Sequence, residues 1–227
     1  MKKLCCAIIA LMTIAFVNAQ TFEGSYLMHI ENANQKNAAD MQVAYKGDKS
    51  SMEMLTAPNA GKFRTIFDNK EKTMTILVEK DGTNKMAMVR KMQDASEVPG
   101  NKEGKDAKIT VTDETKKIEG YTCKKVIAES DESTSEMWVT DELGLTYADM
   151  FGMMRNGRGP ASNMSTNMQN YKDVKGIPLE MNIRNKVKPD ESMVITIKNI
   201  KKGNVDASLF DISGYKVMDM QNMGGGH

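Results

Sequence analysis

The sequence has few of the residues on which most enzyme chemistry depends. Its 227 residues include two histidines, His29 and His227, and the second is the last residue of the chain. His29 falls on the polar side of an alternating segment, so a histidine-based catalytic triad has no convincing base. No G-x-S-x-G or H-E-x-x-H motif is present, although many hydrolase and zinc-protease sites need one of them. We therefore expect a protein that is not an enzyme and has no cofactor.

Cysteine is also scarce, and the N-terminus explains why. Residues 1–19 have two lysines, then a short apolar run, then Ala19 at a typical cleavage position, which together predict a secretory signal peptide. Cleavage there removes two of the three cysteines and leaves Cys123 without a partner in the chain, which excludes an internal disulfide. We expect a periplasmic or extracellular protein with one β-rich domain over residues 20–219 and a flexible tail over residues 220–227.

An excess of charge of either sign is absent as well. The formal net charge is +1, and it becomes −1 when the two lysines of the signal peptide are lost. This balance does not favour binding to nucleic acid or to an anionic membrane surface. No segment after residue 19 is long and apolar enough for a transmembrane anchor.

The dominant pattern in the remaining chain is alternation of apolar and polar residues with a period of two. In Phe22–Glu31, for example, Tyr26, Met28 and Ile30 share one side, which is typical of a half-buried strand. Gly47-Asp48 and Asp81-Gly82 predict hairpin turns between such strands. Further strands are predicted at Phe63–Phe67, Met74–Glu79, Met86–Val89, Ile109–Thr112, Gly120–Glu129, Ser135–Thr140, Pro178–Lys188 and Ser192–Lys201.

One segment changes to helical spacing. In residues 141–156, Leu143, Tyr147, Met150, Phe151 and Met154 fall at helical spacing, and Asp141 is the expected N-cap. The prediction is therefore an α+β fold that is mostly β. It consists of a curved, half-barrel-like antiparallel sheet with one main helix packed on it.

Methionine is the residue that the sequence has in abundance, with 21 in the chain. Most occur inside strand patterns, where they fit core packing. A concave sheet face lined by flexible methionines would also suit an apolar ligand, and its candidate contacts are Tyr121, Trp138, Met150 and Met154. Thioethers select Cu(I) as well. The alternative is therefore a copper site formed by Met218, Met220, Met223 and His227.

Alternation on the strand after Gly120 places Cys123 on one side with Tyr121 and Ile127. We expect this to be the apolar side, where a free thiol behaves as a small buried hydrophobe with a raised pKa. A redox role or an intermolecular disulfide is the alternative.

The segment over residues 112–144, TDETKKIEGYTCKKVIAESDESTSEMWVTDELG, resembles the signature of exported bacterial proteins known as the domain of unknown function 4412 family. The shared pattern is K-x-I-x-G-Y-x-C-K-K followed by W-x-T, and FEGSYLMHI and SLFDISGYKVMDM resemble the opening and closing strands of that family. At residues 176–182 the sequence is GIPLEMN, which departs from the motif of the related GLPGLI family. The resemblance implies a fold similar to periplasmic lipoprotein carriers, and it supplies no catalytic residues.

Together these patterns predict an exported, non-enzymatic binding protein. It would hold an apolar ligand, such as a lipid, or an envelope protein partner against a concave sheet. The alternatives are Cu(I) binding through methionines and a structural interaction protein without a small ligand.

Overall fold

The computed structural model describes residues 22–33, 38–55, 61–80, 82, 84–92, 107–155 and 174–220. The predicted signal peptide, the polar segment over residues 93–106 and the end of the tail lie outside these ranges. The strands are β1 (Gly24–Asn32), β2 (Ala39–Lys46), β3 (Lys49–Met54), β4 (Lys62–Asp68), β5 (Thr73–Lys80), β6 (Asn84–Lys91), β7 (Lys108–Ile118), β8 (Tyr121–Glu129), β9 (Ser133–Thr140), β10 (Ile177–Asn185), β11 (Met193–Lys202) and β12 (Lys216–Asp219).

All twelve strands form a single open sheet in the order β12-β6-β5-β4-β3-β2-β1-β11-β10-β9-β8-β7. Two antiparallel meanders, β1 to β6 and β7 to β11, are joined where β11 pairs with β1. The one parallel pair of this sheet is β12 with β6. The prediction of a mostly β, antiparallel fold is therefore confirmed.

The turn between β7 and β8 gives a physical reason for the I-x-G-Y part of the family signature. Ile118 pairs with Tyr121, so the connection has two residues, Glu119 and Gly120. Both have positive φ, 51° and 87°, which is the backbone of a type I′ hairpin turn and favours glycine. The side chain of Glu119 also accepts a hydrogen bond from the backbone N–H of Asn199 at 3.0 Å.

The prediction of one main helix is wrong, because the helix α1 covers Tyr147–Arg155 only, nine residues. Asp141 is not its N-cap. The chain turns at Gly144, which has a φ of 67° and donates to the Asp141 carbonyl. The helix is capped instead by Thr146, whose hydroxyl accepts from the Asp149 N–H at 3.2 Å while the Asp149 carboxylate accepts from the Thr146 N–H at 2.7 Å. Within the described ranges, no helix has the length and apolar character needed to cross a membrane.

The two faces of the sheet are packed differently. We call the face that carries Tyr26, Met28 and Ile30 of β1 the inner face. These three side chains are buried as predicted. Around β1 and β9 to β11 the inner face is a continuous core that includes Met137 and Met181. The segment from Leu143 through α1 packs on this core, and the Tyr45 hydroxyl lies 3.5 Å from the Asp149 carbonyl oxygen of α1.

The outer face of β3 to β6 is covered by the C-terminal strap, which we define as residues 203–215. It connects β11 near the middle of the sheet to β12 at its edge. Its side chains Phe210 and Tyr215 pack on Ile66, Leu77 and Ala87. Polar contacts also hold it, since Arg64 donates to the Ser208 carbonyl at 3.2 Å and Lys46 donates to the Val205 carbonyl at 3.3 Å.

Candidate functional site: an open methionine-rich face

The register of the first meander aligns apolar side chains in two rows across the inner face. The first row runs through Met41, Met54, Phe63, Val78 and Met86 on β2 to β6. The second row runs through Met52, Thr65, Ile76, Met88 and Met218 on β3 to β6 and β12. Directly paired residues point to the same side of a sheet, so these ten side chains form one surface. We call them the open inner face.

Three side chains of this surface are exposed to solvent, whereas Met41, Met52 and Ile76 at its inner border pack against the hydrophobic core. Met54 is 44% exposed, and Phe63 and Met86 are each 39% exposed. The other members of the two rows are partly buried. By contrast, Met28, Met137 and Met181 on the covered half of the same face are almost completely buried. Exposed apolar side chains that are contiguous rather than scattered are the kind that marks a binding surface.

Six of the ten side chains are methionines. Methionine has an unbranched side chain with a polarisable thioether, so it adapts to ligands of different shapes. The remaining members contribute aliphatic groups, one phenyl ring and one hydroxyl. The chemistry of this surface is therefore suited to van der Waals contact rather than to proton transfer or nucleophilic attack.

The charged side chains that the described strands place on the same side as the open inner face are all of one sign. By alternation, the charged side chains on the inner side of β2 to β6 and β12 are Lys80, Arg90 and Lys216. No acidic side chain points to that side from the same six strands. The outer side of these strands carries both signs, as in the ion pairs Arg64–Glu53 at 2.5 Å and Lys49–Asp68 at 3.3 Å.

The predicted ligand contacts do not form one site among the described residues. Met150 is completely buried in the core on the inner face, and the side chain of Met154 lies outside the described part of the chain. Trp138 points to the outer face, because it pairs with Lys125 and Glu180 while its neighbours in sequence are buried on the inner side. Tyr121 lies at the start of β8 with the ammonium group of Lys202 5.1 Å from its ring centroid.

Trp138 is covered by a lysine rather than open to a ligand. The Lys116 ammonium group lies 4.5 Å from the Trp138 ring centroid, a cation–π contact. The same ammonium group forms an ion pair with Glu180. Lys116 thus extends from β7 past β8 and β9 to reach β10.

Cys123 lies beneath this lysine. It is the direct partner of Lys116 in the β7–β8 pairing and is completely buried. Burial among apolar side chains is therefore confirmed, since Cys123 belongs to the hydrophobic core, and alternation places its thiol on the opposite side of β8 from Val126 and Ala128. Burial raises the pKa of the thiol to about 11, so it is neutral and weakly nucleophilic at neutral pH.

The residues of the alternative copper site are only partly described. Met218 belongs to the open inner face, where it pairs with Met88 across β6 and β12. Met220 is 36% exposed at the end of β12, whereas Met223 and His227 lie outside the described residues. No group of three or more His, Cys, Asp or Glu side chains suited to a metal ion occurs within the described ranges.

The sequence pattern assigns the methionines of the open inner face to core packing rather than to a binding surface. The alternation in each strand was visible, and so was the abundance of methionine. The missing information was which strands are neighbours and which part of the sheet the helix covers. A local pattern of period two contains neither, because both depend on contacts between distant segments.

Comparison with known proteins gives further evidence on the fold. An uncharacterized conserved protein from Thermus thermophilus has a TM-score of 0.50 at 9% identity, over 88% of this chain and 92% of that chain, which shows a shared fold and no more. PNGF-II has a TM-score of 0.48 at 15% identity, over 89% of this chain and 31% of that chain. This chain therefore spans about a third of the length of PNGF-II.

A LolA superfamily protein from Nitrosomonas europaea has a TM-score of 0.34 at 8% identity, over 86% of this chain and 91% of that chain. That score is too low to support an argument about the fold. No sequence among the curated proteins compared matches the chain significantly. The family model described as "Domain of unknown function (DUF4412)" matches residues 22–215, which is most of the chain. The chain therefore belongs to the DUF4412 family.

Proposed function

We propose that this chain is an exported, non-enzymatic binding protein that holds an apolar ligand on the open inner face. The observation that carries the proposal is the first row, where Met54, Phe63 and Met86 are each about two-fifths exposed and form, with Val78 between Phe63 and Met86, one continuous apolar row across four adjacent strands. Leaving such a row in water costs free energy that contact with an apolar ligand recovers.

The shape of the sheet supports the same function. Twelve adjacent strands, each twisted relative to its neighbour, do not stay flat, and a long twisted sheet tends to coil. We propose that the inner face is concave, as in a half-barrel, since the strap occupies the outer face. A concave apolar surface is the commonest form of a site for small apolar molecules.

The test is a titration of the protein with Nile red, an uncharged dye whose emission rises in apolar surroundings. We expect saturable emission from the native protein. Phe63→Gln should weaken the affinity by about three- to tenfold, because it removes a ring from the centre of the first row. Val194→Gln is the matched control. Val194 is 38% exposed but pairs with Glu31 on the outer face, so this variant should bind the dye as the native protein does.

The proposal is contradicted if Nile red emission does not rise, or if Phe63→Gln and Val194→Gln weaken binding equally. In the first case the chain does not bind small apolar molecules, and a protein partner or a purely structural role becomes the better account. In the second case the apolar site lies elsewhere.

A second candidate function is Cu(I) binding, which one observation favours. Met88 and Met218 are direct neighbours across β6 and β12, so two soft thioether ligands lie close together at the edge of the sheet. Titration of Cu(I) against a competing chelator tests this candidate. Met218→Leu removes one thioether, so it should abolish competition for copper. Because leucine keeps the apolar volume, the same variant should bind Nile red as the native protein does.

A further inference from the structure

The charged side chains beside the open inner face are informative about the ligand. Lys80 and Lys216 are exposed and lie on the inner side of β5 and β12. Neither ammonium group has an ion-pair partner among the described residues. Some other lysines of the sheet do have acidic partners, for example Lys85 with Glu79 and Lys49 with Asp68. The two lysines therefore provide positive charge that the described part of the protein does not neutralise.

Lys80 and Lys216 lie at one end of the first row. Lys216 pairs directly with Met86, and Lys80 is two residues beyond Val78 on the inner side of β5. Two strand spacings and two residues along the strand separate their backbones by about 12 Å. Two flexible lysine side chains can approach one anionic group across this distance.

Arg90 differs from this pair. It lies at the other end of β6, where its guanidinium nitrogen is 3.8 Å from the sulfur of the buried Met74. It is packed against the covered core rather than presented beside the exposed end of the first row. The positive charge available to a ligand at that end therefore comes from the two lysines.

The open inner face is long enough for a hydrocarbon chain that begins at these lysines. From β12 to Met41 on β2 there are five strand spacings, or about 24 Å. One leaflet of a bilayer holds its acyl chains in about 15 Å, half of the hydrocarbon core. A single extended acyl chain therefore fits across the strands.

We infer that the ligand is a single-chain anionic lipid of the fatty-acid type, with its carboxylate between Lys80 and Lys216 and its chain along the open inner face. This inference rests on the proposed function. Positive charge at one end of an apolar surface favours a ligand with a negative head group, and it also sets the orientation in which the ligand binds. A cationic or uncharged amphiphile with the same chain gains nothing from the lysines.

The experiment measures how well two amphiphiles displace Nile red from the native protein. Dodecanoate and dodecylammonium have the same chain length and opposite charges, and both are used below the concentrations at which they form micelles. We expect dodecanoate to displace the dye at a concentration about tenfold lower, and this preference should decrease at high salt because the lysines are exposed. Equal displacement by the two amphiphiles would overturn the inference.

A pair of double variants locates the charge. Lys80→Gln with Lys216→Gln should weaken dodecanoate binding about fivefold and leave Nile red binding unchanged. Lys62→Gln with Lys91→Gln removes the same net charge from the outer side of β4 and β6, so it controls for non-specific attraction. If both double variants weaken dodecanoate binding equally, the head group is not held by the two lysines.

These outcomes separate the inference from the proposed function. Nile red binding with no preference for dodecanoate overturns the anionic head group and leaves the apolar site standing. Failure of the native protein to bind Nile red overturns both.

Discussion

At the scale of single residues, Cys123 shows what alternation predicts and what it leaves open. Alternation correctly grouped Cys123 with Tyr121 and Ile127 on one side of the strand. It does not show that side chains from both sides of β8, Cys123 and Val126, join the core, because both sides are equally mixed in polarity. Cys123 is buried within this core, with Lys116 as its direct partner on β7, and contacts between distant strands have no local signal.

The environment of Cys123 predicts low reactivity. A thiol with a pKa of about 11 is almost entirely protonated at neutral pH, and its sulfur is completely buried. We expect iodoacetamide to leave the native protein unlabelled while it labels the urea-unfolded chain fully, as measured by mass spectrometry. Rapid labelling of the native protein would contradict the burial and favour a redox role.

His29 provides a pH-dependent contribution to stability. Its Nδ1 lies 2.6 Å from an Asp40 carboxylate oxygen and its Nε2 lies 2.9 Å from a Glu31 carboxylate oxygen. The hydrogen bond with Asp40, followed by that with Glu31, raises the pKa of His29 above its ordinary value of 6.5. The stabilisation is therefore fully present below about pH 6.5 and is lost as the pH rises through the raised pKa of the folded protein.

The matching experiment compares thermal unfolding of the native protein and of His29→Gln at about pH 5.5 and about pH 8.5. We expect the difference in melting temperature between the two proteins to be larger at the lower pH, because glutamine does not titrate. A difference that is the same at both pH values would show that His29 is not protonated between the two carboxylates.

At the scale of elements, the strands were predictable and the helix was not. Each strand alternates over at least a few residues, and Gly47 has the positive φ that a tight hairpin needs. The helical spacing over residues 141–156 included Leu143, which is buried from a turn rather than from a helix. Burial alone selects an apolar residue, so a non-helical turn can imitate the start of a helical pattern.

The C-terminal strap is the element that closes the outer face of the first meander. The ring of Tyr215 packs on Leu77 and its neighbours, and its hydroxyl donates to Glu79 at 3.4 Å. We expect Tyr215→Ala to lower the free energy of unfolding by about 1–3 kcal/mol in urea titrations, since it uncovers apolar side chains. Tyr215→Phe keeps the ring and loses the hydrogen bond, so it should cost less than about 1 kcal/mol.

If Tyr215→Ala and Tyr215→Phe are equally destabilising, the strap is held by its polar contacts rather than by burial of the ring. If neither variant changes the free energy of unfolding, the strap contributes little to stability.

At the scale of the whole molecule, the sheet has two halves with the same inner side and different covers. The half around β1 and β9 to β11 is covered on the inner face by α1 and the turn before it. The half over β3 to β6 is covered on the outer face by the strap. On its inner face Phe67 and Met74 are buried in the core, whereas Met54, Phe63 and Met86 are exposed.

The sequence predicts most of the strands, but it does not predict which part of the sheet is covered on which face. The prediction placed Trp138 and Tyr121 among the ligand contacts of a concave apolar sheet face. The structure places the Trp138 ring on the outer face, where the ammonium group of Lys116 already covers the ring. The open inner face depends on the register of six strands, and pairing of β12 with β6 brings residues about 130 positions apart together.

The central claim is that ligands bind on the open inner face, and photo-crosslinking tests it most directly. The probe is a fatty acid with a diazirine in its chain, and mass spectrometry locates the labelled residues in the full chain. We predict labels on β3 to β6 near Met54, Phe63 and Met86, and excess dodecanoate should suppress them. Labels confined to the region of Trp138 and Tyr121, or labels that dodecanoate does not suppress, would contradict the account.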